Sequence, residues 1–372
     1  MRALKDTAIF AMAAVFVVIS AVAVHQLSFI WASSRVSISA ARLDRLVGPA
    51  LKPAGITPRF ASLASGLLYF EAALPKGVDP SRLVGRLKSA VAAVDSSLLK
   101  LKVYEQDSKT LVCDIYYREQ LAAQMVFVRP YLEEAAVETV WKERLPAKRE
   151  FKGAPKVAII IDDIGHKRLD FAFLDIPYQL TFSVLPFTPY GAEFARRARA
   201  RGREVMVHIP MEPVGYPRVN PGKGALTTLM SDYELIRQLD ADLAQVALAE
   251  GANNHMGSKL TQDEAAMRAV LAELKRRGMF FVDSRTIPNS VALKVARELG
   301  IPAVGRDVFL DHTIDEDSIR KSLARVAAIA KKRGYAVAIG HPHLATLNVL
   351  KRELPALKAD GIEIVGVSKL VR

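Results

Sequence analysis

Apolar and polar residues follow two different rhythms along this chain of 372 residues. In the first, aromatic and β-branched residues recur at period two, which predicts strands at 67–74, 98–104, 111–117 and 123–128. Residues 41–47 and 80–94 carry apolar positions at helical spacing. These patterns predict a small α+β domain over residues 36–140. No polar cluster in it suggests chemistry, so its expected role is that of a spacer or docking domain.

The second rhythm runs from residue 156 to residue 372. Short apolar strands alternate there with amphipathic helices, predicted at 191–201, 232–249, 262–277, 290–299, 315–332 and 344–358. Repeated β-α units of about 25–35 residues imply a parallel sheet, either open or closed into a barrel. Residues 141–155, which precede this region, are charged and contain proline, as is typical of a linker.

The first 34 residues predict a membrane segment. Residues 8–24 carry no charge, and with the extension to Trp31 they are long enough to cross a hydrocarbon core of roughly 30 Å as one helix. The alternative is a cleaved signal peptide, with Arg2 and Lys5 as its basic start and Ala21-Val22-Ala23 as its cleavage site. We expect a membrane anchor, because the apolar residues continue beyond that site. Both alternatives place the bulk of the chain outside the cytoplasm.

The formal net charge of +13 narrows the classes of partner. It predicts an anionic neighbourhood, such as a membrane surface or an envelope polymer. Nucleic acid is not an expected partner, because no stripe of Lys and Arg interleaved with aromatic residues occurs. The single cysteine, Cys113, excludes an intramolecular disulfide and any metal site built from several cysteines.

Most strands of the second region end on residues capable of chemistry. In a parallel barrel the carboxyl ends of the strands meet at one rim, so residues distant in sequence converge there. The residues concerned are Asp162-Asp163, His208, Asn253-Asn254-His255, Asp283-Ser284-Arg285, Arg306-Asp307, Asp311, His341 and His343. A single histidine or aspartate at a strand end is usually structural. Carboxylates and imidazoles in register with the β-α repeat instead predict one shared site.

The adjacent pair Asp162-Asp163 allows two separate roles. Side chains alternate along an extended strand, so the two carboxylates are expected to point in different directions. One can bind a divalent metal while its neighbour acts as a base. Carboxylate and imidazole together suit zinc and related ions, and a catalytic metal site keeps one position open for water.

Six motifs, in this order and spacing, resemble the divergent polysaccharide deacetylase family: IIIDDIG, HIPMEP, GANNHMGSKLT, FFVDSRT, RDVFLD and IGHPH. That family is a branch of the NodB-like polysaccharide deacetylases of carbohydrate esterase family four, and the resemblance covers residues 156–372. It implies a distorted β/α barrel, a divalent metal cofactor with zinc as the expected ion, and removal of N-acetyl groups from an envelope glycan. By the same resemblance, Asp162 is the catalytic base, Asp163 a metal ligand and His341 the general acid.

The second family motif is altered in this chain. Its typical form, His-x-x-x-His, supplies two metal ligands; here His208 matches the first and Glu212 occupies the second position. Either Glu212 binds the metal, or His255 supplies the missing imidazole from the next strand. We expect His255, because a neutral imidazole preserves the charge of the site.

Further residues are expected to bind substrate or to support the site. Asn253, Asn254 and Ser258 either contact sugar hydroxyls or hold an irregular turn. Arg285 is expected to replace the arginine of the family's third motif, with Asp283 orienting it. Strand-end acids further along the chain, Asp307 and Asp311, are interpreted as caps or supports.

The altered motif also permits a rival function. The chain would then keep the barrel as an envelope protein that binds a glycan or a protein partner without turnover, since a fold does not guarantee a function. The joint presence of Asp162, Asp163, His208 and His341 favours the hydrolase, because a binding protein has no chemical need for all four. The same residues would also permit hydrolysis of another acyl or ester group.

Overall fold

A computed structural model describes residues 38–372 apart from 64, 95–97, 106–109 and 130–152. The predicted membrane segment at 1–34 and most of the predicted linker lie outside these residues. Within the described residues, no helix is both long and apolar enough to cross a membrane.

The described part of residues 38–129 forms a five-stranded sheet with two helices packed on one face. The elements are α1 (Ala40–Leu51), β1 (Ala61–Ser62), β2 (Leu68–Ala73), α2 (Pro80–Ala92), β3 (Leu99–Glu105), β4 (Thr110–Tyr117) and β5 (Gln120–Val128). The sheet order is β1-β2-β5-β4-β3, with β2 and β5 parallel and the other neighbours antiparallel. Alternate residues of the central strands, such as Phe70, Cys113 and Met125, form one apolar core with the two helices.

The opposite face of this sheet is buried against the second domain. Tyr69, Val126 and Val128 belong to the main apolar core of that domain. A hydrogen bond crosses the same boundary, from the backbone N–H of Arg168 to Oε1 of Gln124 at 3.1 Å. The N-terminal sheet is therefore covered on both faces.

Residues 153–372 alternate strands and helices, as the apolar rhythm predicts. The strands are β6 (Lys156–Ile164), β7 (Thr181–Val184), β8 (Glu204–Met211), β9 (Gly251–Met256), β10 (Phe280–Asp283), β11 (Ala303–Gly305), β12 (Val308–Phe309), β13 (Tyr335–Gly340) and β14 (Glu363–Ile364). The helices are α3 (Gly191–Ala200), α4 (Asp232–Gln245), α5 (Glu264–Arg276), α6 (Ala292–Leu299), α7 (Glu316–Arg333) and α8 (Leu344–Ala359).

The strands of this domain form one parallel sheet in the order β11-β10-β9-β8-β7-β6-β13-β12, with β14 added beside β6. Throughout residues 153–372, which are all described, no ladder joins β11 to β12. The sheet therefore remains open along this seam. The expected distorted barrel is therefore found in part: the sheet curves without closing, and the fold is an α/β half-barrel.

The central strand β6 is apolar on both faces, which explains its uninterrupted run of β-branched residues. Ile159 and Ile161 belong to the main core between the sheet and the helices. Ile160 faces the other way, into a second core that Leu370 completes from the C-terminal segment. Because side chains alternate, Asp162 follows Ile160 on this inner face. The inner face of β6 therefore changes from apolar to charged at the rim.

The loop between β8 and α4 packs against the buried carboxyl group of Asp242. Gly224 in this loop has a φ of +93°, and a Cβ there would come within 2.5 Å of Asp242 Oδ1. Asp242 accepts a hydrogen bond from Gln238 Nε2 at 2.8 Å. Burial raises the pKa of Asp242 to about 8, and the bond from Gln238 only partly offsets this effect.

We expect Asp242 to make the fold less stable as the pH rises. The folded chain keeps the Asp242 proton up to about pH 8, whereas the unfolded chain loses it near pH 4. The free energy of unfolding should fall as the pH rises between these values, because the unfolded state then binds fewer protons. Asp242→Asn should weaken this dependence and raise the stability at the alkaline end.

Urea unfolding over this pH range measures the effect. Asp240→Asn is the matched control, since Asp240 lies on the same helix, is half exposed and pairs with Arg277. An Asp242→Asn variant with the same pH dependence as the unaltered chain would contradict the assignment.

Candidate active site

Strand β6 ends in a distortion that brings two adjacent carboxylates to the same place. The register between β6 and β7 shifts between Ile161 and Ile164, and Asp163 has a φ of +56°. This left-handed conformation costs a non-glycine residue about 1–3 kcal/mol. Nε2 of His208 lies 3.6 Å from Asp162 Oδ2 and 3.1 Å from Asp163 Oδ1. The expectation that the two acids point in different directions is therefore wrong, because regular alternation stops at Asp162.

Three strand ends bring one carboxylate and two imidazoles together. Asp163 Oδ1, on β6, lies 3.1 Å from His208 Nε2 on β8 and 2.9 Å from His255 Nδ1 on β9. The two imidazole nitrogens are 3.2 Å apart. All three side chains are buried. Three atoms that can each offer a lone pair thus surround one point at the rim.

The spacing of these three atoms fits a single divalent ion. In a tetrahedral zinc site with zinc–nitrogen bonds of about 2.0–2.1 Å, neighbouring ligand atoms are about 3.3 Å apart. The separations in the cluster, 2.9, 3.1 and 3.2 Å, are close to this value. One carboxylate and two neutral imidazoles also leave a coordination position for water, as a catalytic site requires.

Asn253 holds both His208 and Asp162. Its Oδ1 lies 2.7 Å from His208 Nδ1 and accepts a hydrogen bond of 2.5 Å from Ser183 Oγ. Its Nδ2 donates to the two oxygens of Asp162 at 2.9 and 3.0 Å. Because an amide oxygen only accepts, His208 carries its proton on Nδ1 and keeps the lone pair of Nε2 for a metal.

The sequence predicts the same possible use for Asn253 and Asn254, and the structure gives Asn254 a different one. Its Nδ2 donates to the carbonyl of Met256 at 2.8 Å, and its Oδ1 accepts from the backbone N–H of Ser284 at 2.9 Å. Side chains alternate along β9, so Asn253 shares the inner face with His255 and Asn254 does not. Counting residues back from His255 identifies Asn253 from the sequence alone.

Glu212 and Ser258 fasten the loop that follows β8. Glu212 accepts hydrogen bonds from the backbone N–H of Thr228 at 2.7 Å and from Thr228 Oγ1 and Lys259 Nζ, both at 2.8 Å. Ser258 Oγ accepts one from the backbone N–H of Val214 at 2.9 Å. Burial would raise the pKa of Glu212, but Lys259 and Thr228 hold it below its usual range. The structure thus brings His255 into the cluster of potential ligands and keeps Glu212 with the loop.

Asp283 and Arg285 lie toward the open seam of the sheet. Asp283 accepts a hydrogen bond from the backbone N–H of Arg285 at 2.8 Å and one from Ser290 Oγ at 2.9 Å. Arg285 Nη1 donates to the carbonyl of Arg306 at 2.8 Å, and its side chain lines a cavity of about 200 Å³ beside β11. Asp283 thus contacts Arg285 as predicted, but the hydrogen bond goes to the backbone N–H of Arg285 and not to its guanidinium group.

His341 lies beside the cluster and is held by Asp311. His341 Nδ1 is 3.0 Å from Asp311 Oδ1, and the backbone N–H of His341 donates to Asp311 Oδ2 at 2.6 Å. The other ring nitrogen, Nε2, lies 3.8 Å from Asp163 Oδ2. Thr346 Oγ1 donates to Asp311 at 2.7 Å. Asp311, interpreted from the sequence as a cap or support, is therefore the residue that orients His341.

Asp311, His341 and His343 form a second group whose potential ligand atoms lie within 4.8 Å of one another. The geometry gives this group another use. The Asp311 hydrogen bond occupies Nδ1 of His341 and turns Nε2 toward Asp163. Such an arrangement is typical of a histidine that transfers protons.

The buried charges of the site shift one another's pKa values. Burial raises the pKa of Asp162, and the neighbouring imidazoles only partly offset this. Burial also opposes ionisation of Asp163, but His255 and His208 hold its pKa well below the usual range. Burial lowers the pKa of His341, yet the nearby carboxylates more than compensate and raise it to about 9. Asp162 is thus the better proton acceptor of the two acids, and His341 carries a proton at neutral pH.

Comparison with known proteins identifies the family to which this geometry belongs. A sequence profile of divergent polysaccharide deacetylases matches residues 159–371. The chain belongs to the divergent polysaccharide deacetylase family. The resemblance of its six motifs to that family is confirmed.

Two curated proteins and one solved structure are similar to this chain. Uncharacterized protein YibQ of Escherichia coli strain K12 is 37% identical over 219 residues, which cover 59% of this chain and 68% of YibQ. An uncharacterized protein of Haemophilus influenzae is 35% identical over 218 residues, which cover 58% of this chain and 77% of that protein. The crystal structure of uncharacterized protein ATU2773 from Agrobacterium tumefaciens C58 has a TM-score of 0.57 at 26% identity, over 63% of this chain and 95% of that chain. The reaction of this divergent deacetylase domain must therefore be argued from its own site.

A cleft of about 390 Å³ opens beside the cluster of potential ligands in the deacetylase domain, with His255 in its wall. Phe187 and Pro221 contribute apolar surface, and Lys223 Nζ lies 4.6 Å from the centre of the Phe187 ring. Burial lowers the pKa of His166, another wall residue, to about 4, so its imidazole is neutral near pH 7. The wall combines a flat apolar surface with one cation.

The structure predicts different outcomes for the two residues that compete to be the third ligand. His255→Ala should weaken zinc binding by more than the roughly 10- to 100-fold that loss of an outer partner costs, because it removes an atom of the cluster. Glu212→Gln should keep the zinc stoichiometry and lower the free energy of unfolding by about 1–3 kcal/mol, because it weakens bonds to Lys259 and Thr228. Zinc titration and urea unfolding of both variants measure this. Loss of zinc from Glu212→Gln with retention in His255→Ala would reverse the assignment.

The adjacent asparagines provide a second matched pair. Asn253→Ala should lower zinc affinity by about 10- to 100-fold, because His208 loses the group that fixes its proton on Nδ1. Asn254→Ala should lower the melting temperature with little change in zinc affinity, because its bonds go to the main chain. Competition titration with a zinc chelator and a thermal scan distinguish the two effects. Equal zinc affinities in the two variants would contradict the role given to Asn253.

Proposed function

We propose that this protein is a metal-dependent hydrolase that removes N-acetyl groups from a glycan of the cell envelope. The observation that carries the proposal is the convergence of Asp163, His208 and His255 at one point, with Asp162 and His341 on either side. A ligand set, a proton acceptor and a proton donor thus lie together on one rim. Membership of the deacetylase family supports the same reaction class.

Asp163, His208 and His255 would hold the divalent metal, for which we propose zinc. When bound, such an ion lowers the pKa of water and stabilises charge that develops on a carbonyl oxygen. His208 is prepared for this role because Asn253 accepts from its Nδ1. Asp163 is prepared because its Oδ1 lies 3.1 Å from Nε2 of His208 and 2.9 Å from Nδ1 of His255, so the three atoms face one point.

Asp162 would take the proton from the attacking water. Its pKa is raised by burial, which brings its basicity closer to neutral pH and favours proton acceptance. Both of its oxygens accept from Nδ2 of Asn253, so the carboxylate cannot rotate freely. Asp162 also lies next to His208 without sharing the close contacts that Asp163 makes.

His341 would give a proton to the departing nitrogen. Water adds to the amide carbon as its proton moves to Asp162; the C–N bond then breaks as His341 protonates the amine. The products are acetate and a free amino sugar. Asp311 keeps the imidazole oriented and favours its charged form.

The cleft beside the cluster would bind the sugar. Phe187 offers a flat ring against which the apolar face of a pyranose can pack, and Lys223 can donate to hydroxyl or carboxylate oxygens. Neutral His166 adds a further polar contact near His255. We also propose that residues 1–34 keep this cleft at the outer side of the cytoplasmic membrane, as their apolar composition predicts.

Metal analysis combined with acetate release tests the proposal. We expect about one zinc or similar divalent ion per chain, and acetate release from peptidoglycan, chitooligosaccharides or another N-acetylated envelope glycan. Asp162→Asn should lower kcat by about 100- to 10,000-fold while the metal content stays near normal, because only the base is lost.

Asp175→Asn is the matched control, since Asp175 is an exposed acid that pairs with Arg201 in the same domain. Full activity in Asp162→Asn would remove Asp162 from its role. Absence of both stoichiometric metal and acetate release from the unaltered protein would overturn the hydrolase and favour a glycan-binding protein on the same fold.

A further inference from the structure

Glu71, a residue of the N-terminal domain, reaches the rim of the half-barrel. It lies on β2, on the same face as Tyr69, which packs into the main core of the second domain. Its side chain is 8% exposed, and Oε1 lies 2.6 Å from Nδ1 of His343. Lys167 Nζ, itself buried, lies 3.7 Å from the same oxygen. A carboxylate from one domain is thus buried among charged and polar groups of the other.

The second oxygen of Glu71 caps helix α8. This helix begins at Leu344, and its N-cap residue, His343, makes no capping bond with its own side chain. Glu71 Oε2 instead accepts the backbone N–H of Leu344 at 3.1 Å. A negative charge is favourable at this position because the first N–H groups of a helix have no partner within it.

These contacts hold the short segment that carries His341. Only Pro342 separates His341 from His343, between the end of β13 and the start of α8. Asp311 holds His341, whereas Glu71 holds His343 and Leu344. Within the segment, the backbone N–H of His343 donates to the carbonyl of His341 at 2.7 Å. The position of one histidine therefore depends on the other.

Lys167 contacts both Glu71 and the segment between His341 and His343. Its Nζ donates to the carbonyl of Pro342 at 3.3 Å while it faces Glu71. Burial would raise the pKa of Glu71, but His343 and Lys167 lower it to about 2, so the group is a carboxylate at neutral pH. A buried charge of this kind is maintained only when its partners are held in place. The apolar contact between the domains holds them.

We propose that Glu71 is a positioning residue for His341, and that the N-terminal domain thereby forms a working part of the active site. Glu71 does not touch the reacting atoms. It fixes His343 and the start of α8, and these fix the place from which His341 delivers its proton. The kinetic part of this inference rests on the proposed deacetylation, whereas the structural part does not.

Glu71→Gln tests the inference, because it keeps the size of the side chain and removes its charge. Glu119→Gln is the matched control; Glu119 is an exposed residue of the same domain, in the turn between β4 and β5, and pairs with Lys100. Hydrogen exchange is measured on a peptide that covers residues 341–347 in the full protein. We expect faster exchange there in Glu71→Gln than in Glu119→Gln, because the Leu344 N–H loses its charged acceptor.

Steady-state kinetics provide the second readout. Glu71→Gln should lower kcat by about 10- to 100-fold with KM nearly unchanged, because a displaced acid affects the chemical step more than binding. His343→Gln removes the partner from the other side and serves if Glu71→Gln does not fold. The double variant should lose no more activity than the worse single variant, since both act through one contact.

The outcomes separate this inference from the proposed function. If the unaltered protein releases no acetate, the exchange experiment alone decides, and unchanged exchange in Glu71→Gln overturns the positioning role. If the unaltered protein is active, the positioning role is overturned when Glu71→Gln and Glu119→Gln have the same kcat and the same exchange rate. Losses from Glu71→Gln and His343→Gln that multiply in the double variant would show two independent effects and also overturn it.

Discussion

Two carboxylates buried side by side each lose the water that would stabilise their charge, and the arrangement of polar side chains at the rim meets this constraint. Neither Asp162 nor Asp163 has enough solvent to screen its charge. The structure meets the cost differently for each acid. Burial raises the pKa of both acids, but His255 and His208 hold the pKa of Asp163 well below its usual range, whereas His208, His341 and Asn253 only partly offset the rise at Asp162. The proposed division between a ligand and a base would therefore arise from the surroundings of two chemically identical groups.

The strained backbone of Asp163 makes this division possible. A regular strand would have directed Asp163 toward the helices, where a carboxylate has no partner. The left-handed conformation and the shifted register instead turn it back toward His208. Strain at such a point persists only where the surrounding structure determines it, and β6 is held by β7, β13 and β14. A strand with three neighbours thus carries a residue in the left-handed conformation.

Much of this arrangement can be predicted from the sequence, because β-α periodicity places strand ends on one rim. That rule brings Asp163, His208 and His341 together across nearly 180 residues of chain. Alternation along β9 also predicts the position of Asn253, because residues two apart on a strand lie on the same face and His255 is two residues further on. The β-α periodicity does not predict the distortion at Asp163, because nothing in IIIDDIG shows where the regular extended conformation ends. Glu71 is beyond such reasoning altogether, since it lies on a different domain whose pattern shows only a sheet and two helices.

The altered second motif shows how a family can keep a site while it changes the residues around it. Glu212 stands where another ligand is typical, yet its oxygens are used by Thr228 and Lys259. The loop that it fastens also covers Asp242 and supplies Lys223 to the cleft. Glu212 in the motif therefore goes together with a loop that contributes Lys223 to the cleft and with a potential ligand, His255, on β9.

The contact of Glu71 with α8 also affects which parts of the protein unfold together. The small apolar core around Leu83 and Leu87 and the main core around β6 are separate clusters of buried residues. Separate cores favour separate units of cooperative opening. The candidate ligands Asp163, His208 and His255 belong to the strands of the main core, but the segment that carries His341 also depends on the small one, through Glu71. Damage to the distant core at Leu83 would thus loosen the segment of His341 and leave the cluster of Asp163, His208 and His255 intact, so under the proposed function a variant could lose activity and still bind metal.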